Sequence, residues 1–179
     1  LRHNLWPTQK ANINTVNNLI RSAHVIKFSR DEFEYLANTD TSADASVAAN
    51  DYLQFCFNWN CQLIIITDGA KPIEFHTRHG VFKVQPPAIT AVDTTAGGDG
   101  FIGGFLYALS QFNDLNALVD NTNTLTKVIK FAAQCGAIAV SKSGAFPALA
   151  TIDQVLPSSF SQNQVPSLDA FLEQINEFL

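Results

Sequence analysis

A glycine-rich segment contains the residue types best suited to chemistry. Residues 93–106 read DTTAGGDGFIGGFL, after an extended stretch (residues 89–92) and at the start of an apolar helical pattern. The first N–H groups of a helix have no partner within it, and the helix dipole adds about half a positive charge there. Because glycines let a backbone approach a ligand closely, this turn predicts an anion site built from main-chain donors.

Asp99 lies where these donors converge, although a carboxylate would repel a phosphate. Two explanations fit this placement. As an N-cap, Asp99 would stabilise the helix by about 1 kcal/mol. As a general base, it would take the proton from an attacking hydroxyl while the N–H groups stabilise the transferred group, as in phosphoryl transfer. The residues alone leave both explanations open.

Neither common phosphate-binding glycine motif accounts for the segment. The spacing Gly98-x-Gly100-x-x-Gly103 fits the dinucleotide fingerprint by letter, but that fingerprint needs an acidic residue about twenty positions on, at the end of a strand. Asp120 instead opens an Asn-rich stretch (residues 120–126) that we expect to be a polar loop capping the next helix. A Walker A loop would need Gly-Lys-Ser/Thr, which is absent.

Helical and strand patterns alternate along the chain, which favours an α/β layered sheet in one domain, or part of one. Ser29 and Glu32 have the spacing of a capping box at the start of a helix. Residues 78–80 predict a hairpin connection. Helices are predicted at residues 8–22, after Ser29, and at 43–59, 101–112, about 125–141 and 168–178, and strands at 25–28, 63–67, 73–77 and 81–84.

The composition excludes several classes of protein. Of the 179 residues, 46% are hydrophobic and 15% charged, which excludes an intrinsically disordered chain. The longest aliphatic run, residues 63–66, is far shorter than the roughly 20 residues needed to cross a bilayer. A net charge of -5 argues against nucleic-acid binding. Cys56, Cys61 and Cys135 lack metal-site spacing and are predicted to be buried free thiols in a reducing cytosol.

The glycine-rich segment resembles the second signature of the PfkB (ribokinase-like) sugar kinases, D-T-[TA]-G-A-G-D-x-F. The sequence departs from that signature by an Ala-Gly swap at Ala96 and Gly97. The resemblance implies that Asp99 is the general base that acts on the sugar hydroxyl. It also implies that the backbone donors of Ala96, Gly97 and Gly98 form the anion hole.

Other segments are similar to the same family, in the same order along the chain. Residues 1–7 resemble the Asn-Leu-Arg-x-x-Leu-Trp stretch of its fructokinase branch, and residues 29–32 resemble the N-x-x-E motif with Ser for Asn. This resemblance implies that Glu32 organises Mg²⁺ and the phosphates through water, which suits a carboxylate because Mg²⁺ prefers hard oxygen ligands. Asp93 and Thr95 match positions that hold a monovalent cation such as K⁺ in many members.

Two turns resemble the parts of the family that bind ATP. Residues 67–71 are similar to the T-x-G-x-x-G nucleotide loop, and residues 142–145 to the late Gly-Ala turn that borders the adenine. The ATP contacts that this resemblance implies are Thr67, Gly69, Lys71, Gly144 and Ala145. For Lys71, an exposed turn lysine without a ligand is an equal alternative.

The resemblance covers essentially the whole chain and implies a ribokinase-like three-layer αβα sandwich with a mainly parallel sheet. Residues 1–179 would be the C-terminal part of a single kinase domain, without the N-terminal half that carries the sugar-binding lid. A chain that opens on Leu1 and has no methionine is expected to be a piece of a longer protein. The implied activity is ATP- and Mg²⁺-dependent phosphoryl transfer to a small sugar, most like a fructokinase, in a cytoplasmic protein that dimerises through the lid and involves neither nucleic acid nor membrane.

Two alternatives remain open. One is a kinase of the same family for a nucleoside or a keto-deoxy sugar acid, since the absent half holds most of the specificity. The other is a catalytically inactive relative, favoured by Ala96, by Pro72 where a glycine is usual, and by Ala133 where the family often has asparagine. A positive φ at Ala96 would be costly, and Gly97 would then be expected to take that angle.

Overall fold

The structure, a computed structural model, describes residues 7–38, 45–156 and 168–178. The chain divides into two units. The sheet unit comprises Leu1–Gly69 and Ile73–Lys83, and the helical unit comprises Ala70–Pro72 and Val84–Leu179. The fructokinase-like stretch predicted at residues 1–7 lies, except for its last residue, outside the described residues.

The sheet unit contains a four-stranded mixed sheet with the strand order β1-β2-β3-β4. The strands are β1 Val25–Ser29, β2 Leu63–Thr67, β3 Ile73–Thr77 and β4 Gly80–Val84, and the helices are α1 Gln9–Ile20, α2 Arg30–Ala37 and α3 Ala45–Phe57. β1 and β2 are parallel, β2 and β3 are antiparallel, and residues 78–79 turn β3 back into β4. The predicted α/β architecture and hairpin are confirmed, with β4 starting one residue early.

Apolar, β-branched residues build this sheet and its contact with the helices. β2 reads LIIIT, and its four aliphatic residues are buried, as expected of a strand covered on both faces. The rings of Phe28, Phe33 and Tyr52, from β1, α2 and α3, have centroids 5.9–6.2 Å apart. This triangle of rings holds α2 and α3 against the end of β1 and so fixes the start of α2.

The helical unit contains a long buried helix with shorter helices around it. Its described helices are α4 Gly97–Leu109, α5 Leu115–Asp120, α6 Thr122–Val140, α7 Ile152–Val155 and α8 Leu168–Phe178, with a 3-10 turn at Phe146–Ala148. Phe171 of α8 packs edge-on against Phe131 of α6, with ring centroids 5.3 Å apart. None of the helices in the described part of the chain is both long and apolar enough to cross a bilayer.

The Asn- and Thr-rich stretch 120–126 is mostly helical, so the expectation of a polar loop is wrong. Only Asn121 separates α5 from α6. Its Oδ1 accepts the Thr124 N–H at 3.1 Å, which confirms the predicted capping of the next helix. The stretch is helical because Leu118 and Leu125 are fully buried, and this packing overrides the weak helix propensity of Asn and Thr.

The three cysteines are buried free thiols, as predicted. Cys56 and Cys61 lie in the sheet unit and Cys135 in the helical unit. Burial raises the pKa of Cys56 to about 12 and the pKa values of Cys61 and Cys135 to about 11. Because the thiolate is the reactive form, these side chains are inert at neutral pH while the protein is folded.

Glycines on one face of α4 let it pack very closely against α6. A Cβ added at Gly97 would lie 2.6 Å from Val140 Cγ1. A Cβ at Gly100 would lie 2.8 Å from Ala139 Cβ, and a Cβ at Gly104 would lie 2.6 Å from Cys135 Sγ. Gly103, between them on the exposed side, has no such neighbour within 4 Å. The absence of side chains on the packed face therefore sets the distance between the two helices.

Gly104→Ala should lower the free energy of unfolding by about 1–3 kcal/mol, because overpacking outweighs the better helix propensity of alanine. Gly103→Ala is the matched control and should raise the free energy of unfolding by about 0.5–1 kcal/mol, since its Cβ meets no neighbour. Urea denaturation measures both values. Two variants that are stabilised alike would contradict the close packing of α4 on α6.

Candidate active site

The first turn of α4 places Asp99 on an exposed helix N-terminus. α4 begins at Gly97, earlier than predicted, and its N-cap is Ala96, with no side-chain capping bond. The first helical hydrogen bond runs from the Gly100 N–H to Ala96 O at 2.8 Å. Asp99 is thus the third residue of the helix, and the expectation that it is the N-cap is wrong. Its exposed carboxylate lies where the helix dipole favours negative charge.

The turn before Asp99 has an ordinary backbone. Ala96 has φ −96° and ψ 5°, and neither Ala96 nor Gly97 has a positive φ. The condition under which Gly97 would take an unusual angle therefore does not arise, and glycine is needed at this position because Val140 leaves no room for a Cβ. Gly97 and Gly98 are the first two helical residues, so their N–H groups have no hydrogen-bond partner within the helix. The Gly97 N–H makes a long bond to Thr94 O at 3.3 Å.

The end of α6 holds the loop that leads into this turn. The carbonyl oxygen of Val140 accepts the N–H groups of Val92 and Asp93 at 2.8 and 3.2 Å. The Cγ1 atom of Val140 lies beside Gly97, in the position that a side chain at residue 97 would need. One residue of α6 therefore positions both ends of the segment 92–97. No feature of the sequence singles out Val140, because it acts through its backbone and its bulk.

Asp93 joins two turns that are 51 residues apart in sequence. Its Oδ1 accepts the Thr95 N–H and its Oδ2 accepts the Gly144 N–H, both at 3.0 Å. Hydrogen bonds from Thr95, and then from Gly144, hold the pKa of the Asp93 carboxyl below its ordinary value. The structure thus brings together Asp93 and Thr95, predicted for a cation, and Gly144, predicted for ATP.

The turn that contains Gly144 has a geometry that requires glycine. Gly144 has φ +94°, in the left-handed region that side chains disfavour. Ala145 is exposed and precedes the 3-10 turn, in which Ala148 is fully buried. The turn is therefore anchored at both ends, by Asp93 on one side and by Ala148 on the other.

In the sheet unit, Glu32 and Thr67 lie at the carboxyl ends of the parallel strands β1 and β2. Ser29 Oγ accepts the Glu32 N–H at 3.2 Å, and Glu32 Oε2 accepts the Ser29 N–H at 2.8 Å, so the predicted capping box is confirmed. Ser29 pairs in register with Thr67, whose Oγ1 donates to Phe28 O at 3.3 Å. The carboxyl ends of parallel strands are where α/β folds bind ligands.

Glu32 carries a charge suited to organising a metal-bound nucleotide. Burial acts to raise the pKa of its carboxyl, hydrogen bonds including that from the Ser29 N–H act to lower it, and the net direction is downward. Glu32 is therefore ionised at neutral pH. A half-buried carboxylate held by a capping box is a fixed, hard oxygen donor, which fits Mg²⁺ bound through water.

The other predicted nucleotide residues follow β2. Gly69 has φ +54°, with no atom within 4 Å of an added Cβ, so this turn needs glycine for its backbone angle alone. Lys71 is exposed and belongs to the helical unit, whereas Thr67 and Gly69 belong to the sheet unit. The structure thus groups Glu32, Thr67 and Gly69 in one unit.

A charged cluster that the sequence does not reveal lies beside the start of α2. Glu74 of β3 contacts His76 Nε2 at 2.7 Å, Lys83 Nζ at 3.4 Å and the Arg30 guanidinium at 3.7 Å. Burial acts to raise the pKa of Glu74, the bonds from His76 and the two cations outweigh it, and the net direction is downward. The cluster holds the Arg30 side chain at the start of α2 against Glu74 of β3. The spacing of these residues in the sequence does not predict the cluster.

Comparisons with known proteins agree with this arrangement. Residues 1–152 match the family model described as pfkB family carbohydrate kinase. The curated relative probable fructokinase-5 from Arabidopsis thaliana is 33% identical over 147 residues, which are 82% of this chain and 43% of the relative. The chain therefore spans about half the length of the curated relatives it matches.

Solved structures are similar over most of the chain. The fructokinase with bound ATP from Xylella fastidiosa has a TM-score of 0.76 and 32% identity, over 99% of this chain and 50% of that chain. The aminoimidazole riboside kinase from Salmonella enterica, complexed with aminoimidazole riboside and an ATP analog, has a TM-score of 0.71 and 30% identity, over 87% and 48%. A double mutant of the Vibrio cholerae O395 fructokinase, in a fructose-, ADP- and potassium-bound form, has a TM-score of 0.72 and 30% identity, over 87% and 46%.

The matched sequence model and these structures confirm both the resemblance seen in the glycine-rich segment and the predicted ribokinase-like α/β fold. The chain belongs to the pfkB family of carbohydrate kinases.

Proposed function

We propose that this chain is the nucleotide- and phosphate-binding part of an ATP-dependent sugar kinase, most like a fructokinase. The observation that carries the proposal is the exposed carboxylate of Asp99 in the first turn of α4, directly after the backbone donors of residues 96–98. The related solved structures support the substrates, because one contains bound ATP and another contains fructose and ADP. Residues 1–179 are then the C-terminal part of a kinase domain, whose other half supplies the sugar-binding lid and the dimer contact in a cytoplasmic protein.

In the proposed reaction, Asp99 takes the proton from a sugar hydroxyl as its oxygen forms a bond to the γ-phosphorus of ATP. The bond from that phosphorus to the bridging oxygen breaks, and its electron pair leaves on ADP. The N–H groups of Ala96, Gly97 and Gly98 stabilise the equatorial oxygens of the transferred group. Bound Mg²⁺ would neutralise the phosphates, with Glu32 positioning its water ligands. Thr67, Gly69, Lys71, Gly144 and Ala145 are the proposed nucleotide contacts.

Asp93 and Thr95 are proposed to hold a monovalent cation, K⁺ in the simplest case. The Asp93 carboxylate accepts the N–H groups of Thr95 and Gly144 and a hydrogen bond from the Thr95 side chain, and a carboxylate has about four acceptor positions, so capacity remains for a cation. The potassium-bound Vibrio cholerae relative supports the choice of ion. A cation at this point would sit on the link between the 93–97 loop and the Gly144 turn.

A second candidate is a kinase for a nucleoside, favoured by the 30% identity to the aminoimidazole riboside kinase. A panel of fructose, aminoimidazole riboside and a keto-deoxy sugar acid separates these substrates. The inactive-relative alternative loses one supporting feature, because Ala96 sits in its turn without a positive φ.

In the complete kinase, Asp99→Asn should lower turnover by about 10²- to 10⁴-fold, because the general base is lost. ADP affinity, measured by calorimetry, should stay within about threefold, since Asp99 acts on the sugar hydroxyl and the transferred γ-phosphoryl group, which ADP lacks. The matched control is Asp114→Asn. Asp114 caps α5 by accepting the Asn116 N–H at 2.9 Å, and asparagine caps equally well, so turnover should not change. Near-normal turnover in Asp99→Asn would refute the assignment.

Asp93→Asn should abolish activation of the complete kinase by K⁺. The variant removes the negative charge, and its amide has only one acceptor oxygen for the two N–H groups that Asp93 accepts. Titrating activity with KCl, against choline chloride at equal ionic strength, isolates the ion from the salt effect. Equal K⁺ activation of the variant and the parent would place the cation elsewhere.

The link between Asp93 and Gly144 should survive mild acid. The folded pKa of Asp93 lies below its ordinary value of 3.8, so its contribution to stability is fully present above pH 3.8 and is lost as the pH falls through the folded pKa. The Gly144 amide resonance, followed by NMR, should be constant from about pH 8 to about pH 5 and shift only in stronger acid. A midpoint clearly above 3.8 would contradict these hydrogen bonds.

A further inference from the structure

We infer that Glu74 and Arg30 position Glu32 for its proposed action on the water ligands of Mg²⁺. The two residues belong to a charged cluster with His76 and Lys83, the Glu74 cluster. The inference rests on the proposed function, which assigns Glu32 to the metal-bound nucleotide. Glu74 and Arg30 are positioning residues in this scheme, because each acts on Glu32 and not on the substrates.

The Glu74 carboxylate is held in place by the sheet and by neighbouring side chains. Glu74 lies on β3, which has β2 on one side and β4 on the other. His76, whose side chain is 8% exposed, contacts Glu74 Oε1 through Nε2 at 2.7 Å, and Lys83 Nζ lies 3.4 Å from Oε2. A strand with two neighbours and two side-chain contacts leave this carboxylate little freedom. A group bound to it is therefore fixed relative to the sheet.

Glu74 lies at the edge of the sheet that carries proposed nucleotide contacts. It pairs in register with Ile66, the residue before Thr67, at which β2 ends. Ile66 is also in register with Phe28, so β1 ends at the same edge and α2 begins there. A link from Glu74 to the first turn of α2 therefore sets Glu32 relative to the end of β2.

Arg30 makes this link. It is the first residue of α2, and its Nη2 lies 3.7 Å from Glu74 Oε2, on a strand that β2 separates from β1. A cation in the first turn of a helix opposes the helix dipole, so Arg30 disfavours α2 taken alone. The ion pair with β3 compensates for this and holds the first turn. In that turn, Glu32 Oε2 accepts the Ser29 N–H at 2.8 Å.

The two cations that share Glu74 Oε2 separate a positioning role from a stabilising one. The Arg30 side chain is 29% exposed and that of Lys83 is 65% exposed, and ion pairs this exposed contribute little to the free energy of unfolding. They differ in the element that they hold, because Arg30 is on α2 with Glu32 and Lys83 is on β4. Only the loss of Arg30 should therefore affect Glu32.

In the complete kinase, Arg30→Met should raise the free Mg²⁺ concentration for half-maximal activity about five- to tenfold, because losing the partner that orients a metal-site carboxylate weakens metal binding. Glu74→Gln should act in the same direction. Turnover at saturating Mg²⁺ should stay within about twofold, since excess metal restores occupancy. Lys83→Met, the matched control, should keep the Mg²⁺ requirement within about twofold. Equal shifts in Arg30→Met and Lys83→Met would overturn the inference.

A double variant tests whether Arg30 acts through Glu32. Arg30→Met in a Glu32→Gln background should change the Mg²⁺ requirement by less than about twofold, whereas independent effects would multiply, and multiplied effects would overturn the inference. A parent-like Mg²⁺ requirement in Glu32→Gln alone would refute the proposed role of Glu32 and this inference with it. A raised requirement in Glu32→Gln beside a parent-like Arg30→Met would overturn the inference alone.

Amide hydrogen exchange in the complete kinase tests the same link without turnover. The Ser29 and Glu32 N–H groups of the capping box should exchange about fivefold faster in Arg30→Met, because the first turn of α2 opens more often. Lys83→Met should leave both rates unchanged, and thermal unfolding of each variant checks that it folds. Unchanged exchange in Arg30→Met would overturn the inference. The expected exchange in a protein that transfers no phosphoryl group would refute the proposed function and leave the positioning of Glu32 by Arg30 standing.

Discussion

The close contact of α4 with α6 is the constraint on which the candidate site depends. Glycines at positions 97, 100 and 104 remove the side chains that would keep the two helices apart. Hydrophobic burial alone would favour larger residues at these positions. Glycine buries less apolar surface and lowers helix propensity, but it lets α4 lie closer to α6. As a result, the first turn of α4, which contains Asp99, is held against the last turn of α6. Val140 completes the arrangement, because its carbonyl holds the start of the loop and its side chain limits position 97.

The acidic residues predicted to act in catalysis differ in how the structure holds them. Glu32 and Asp93 accept backbone N–H groups, one within a capping box and the other between two distant turns. Each thereby fixes a loop and keeps its own charge at neutral pH. Asp99 is instead exposed in the first turn of α4. An exposed carboxylate at this position is accessible to a substrate hydroxyl, as the proposed role of Asp99 as general base requires.

Local signals in the sequence were sufficient for much of this architecture. The capping box of Ser29 and Glu32 and the hairpin at residues 78–79 each involve neighbours in sequence, and both are confirmed. The start of α4 was misplaced because glycine is a weak helix former, so its run of glycines reads as a turn. Residues 120–126 were misread for the corresponding reason, since buried leucines on both sides impose the helix.

Contacts between residues far apart in sequence could not be predicted in this way. The motifs pointed to Asp93 and to Gly144 separately, but nothing in either segment says that a carboxylate of one accepts the amide of the other. The Glu74 cluster is similar, because it joins α2, β3 and β4 through side chains with no common spacing. Such contacts depend on how the elements pack, which a single sequence encodes only collectively.

The three buried cysteines can be used to measure local opening of the folded chain. Cys56 and Cys61 lie in the sheet unit and Cys135 lies under α4 in the helical unit. A cysteine-modifying reagent can reach each sulfur only when the surrounding structure opens, so the rate of modification measures the opening of that region. Identifying which cysteines have been modified after a short exposure would therefore show whether the two units open together or one before the other.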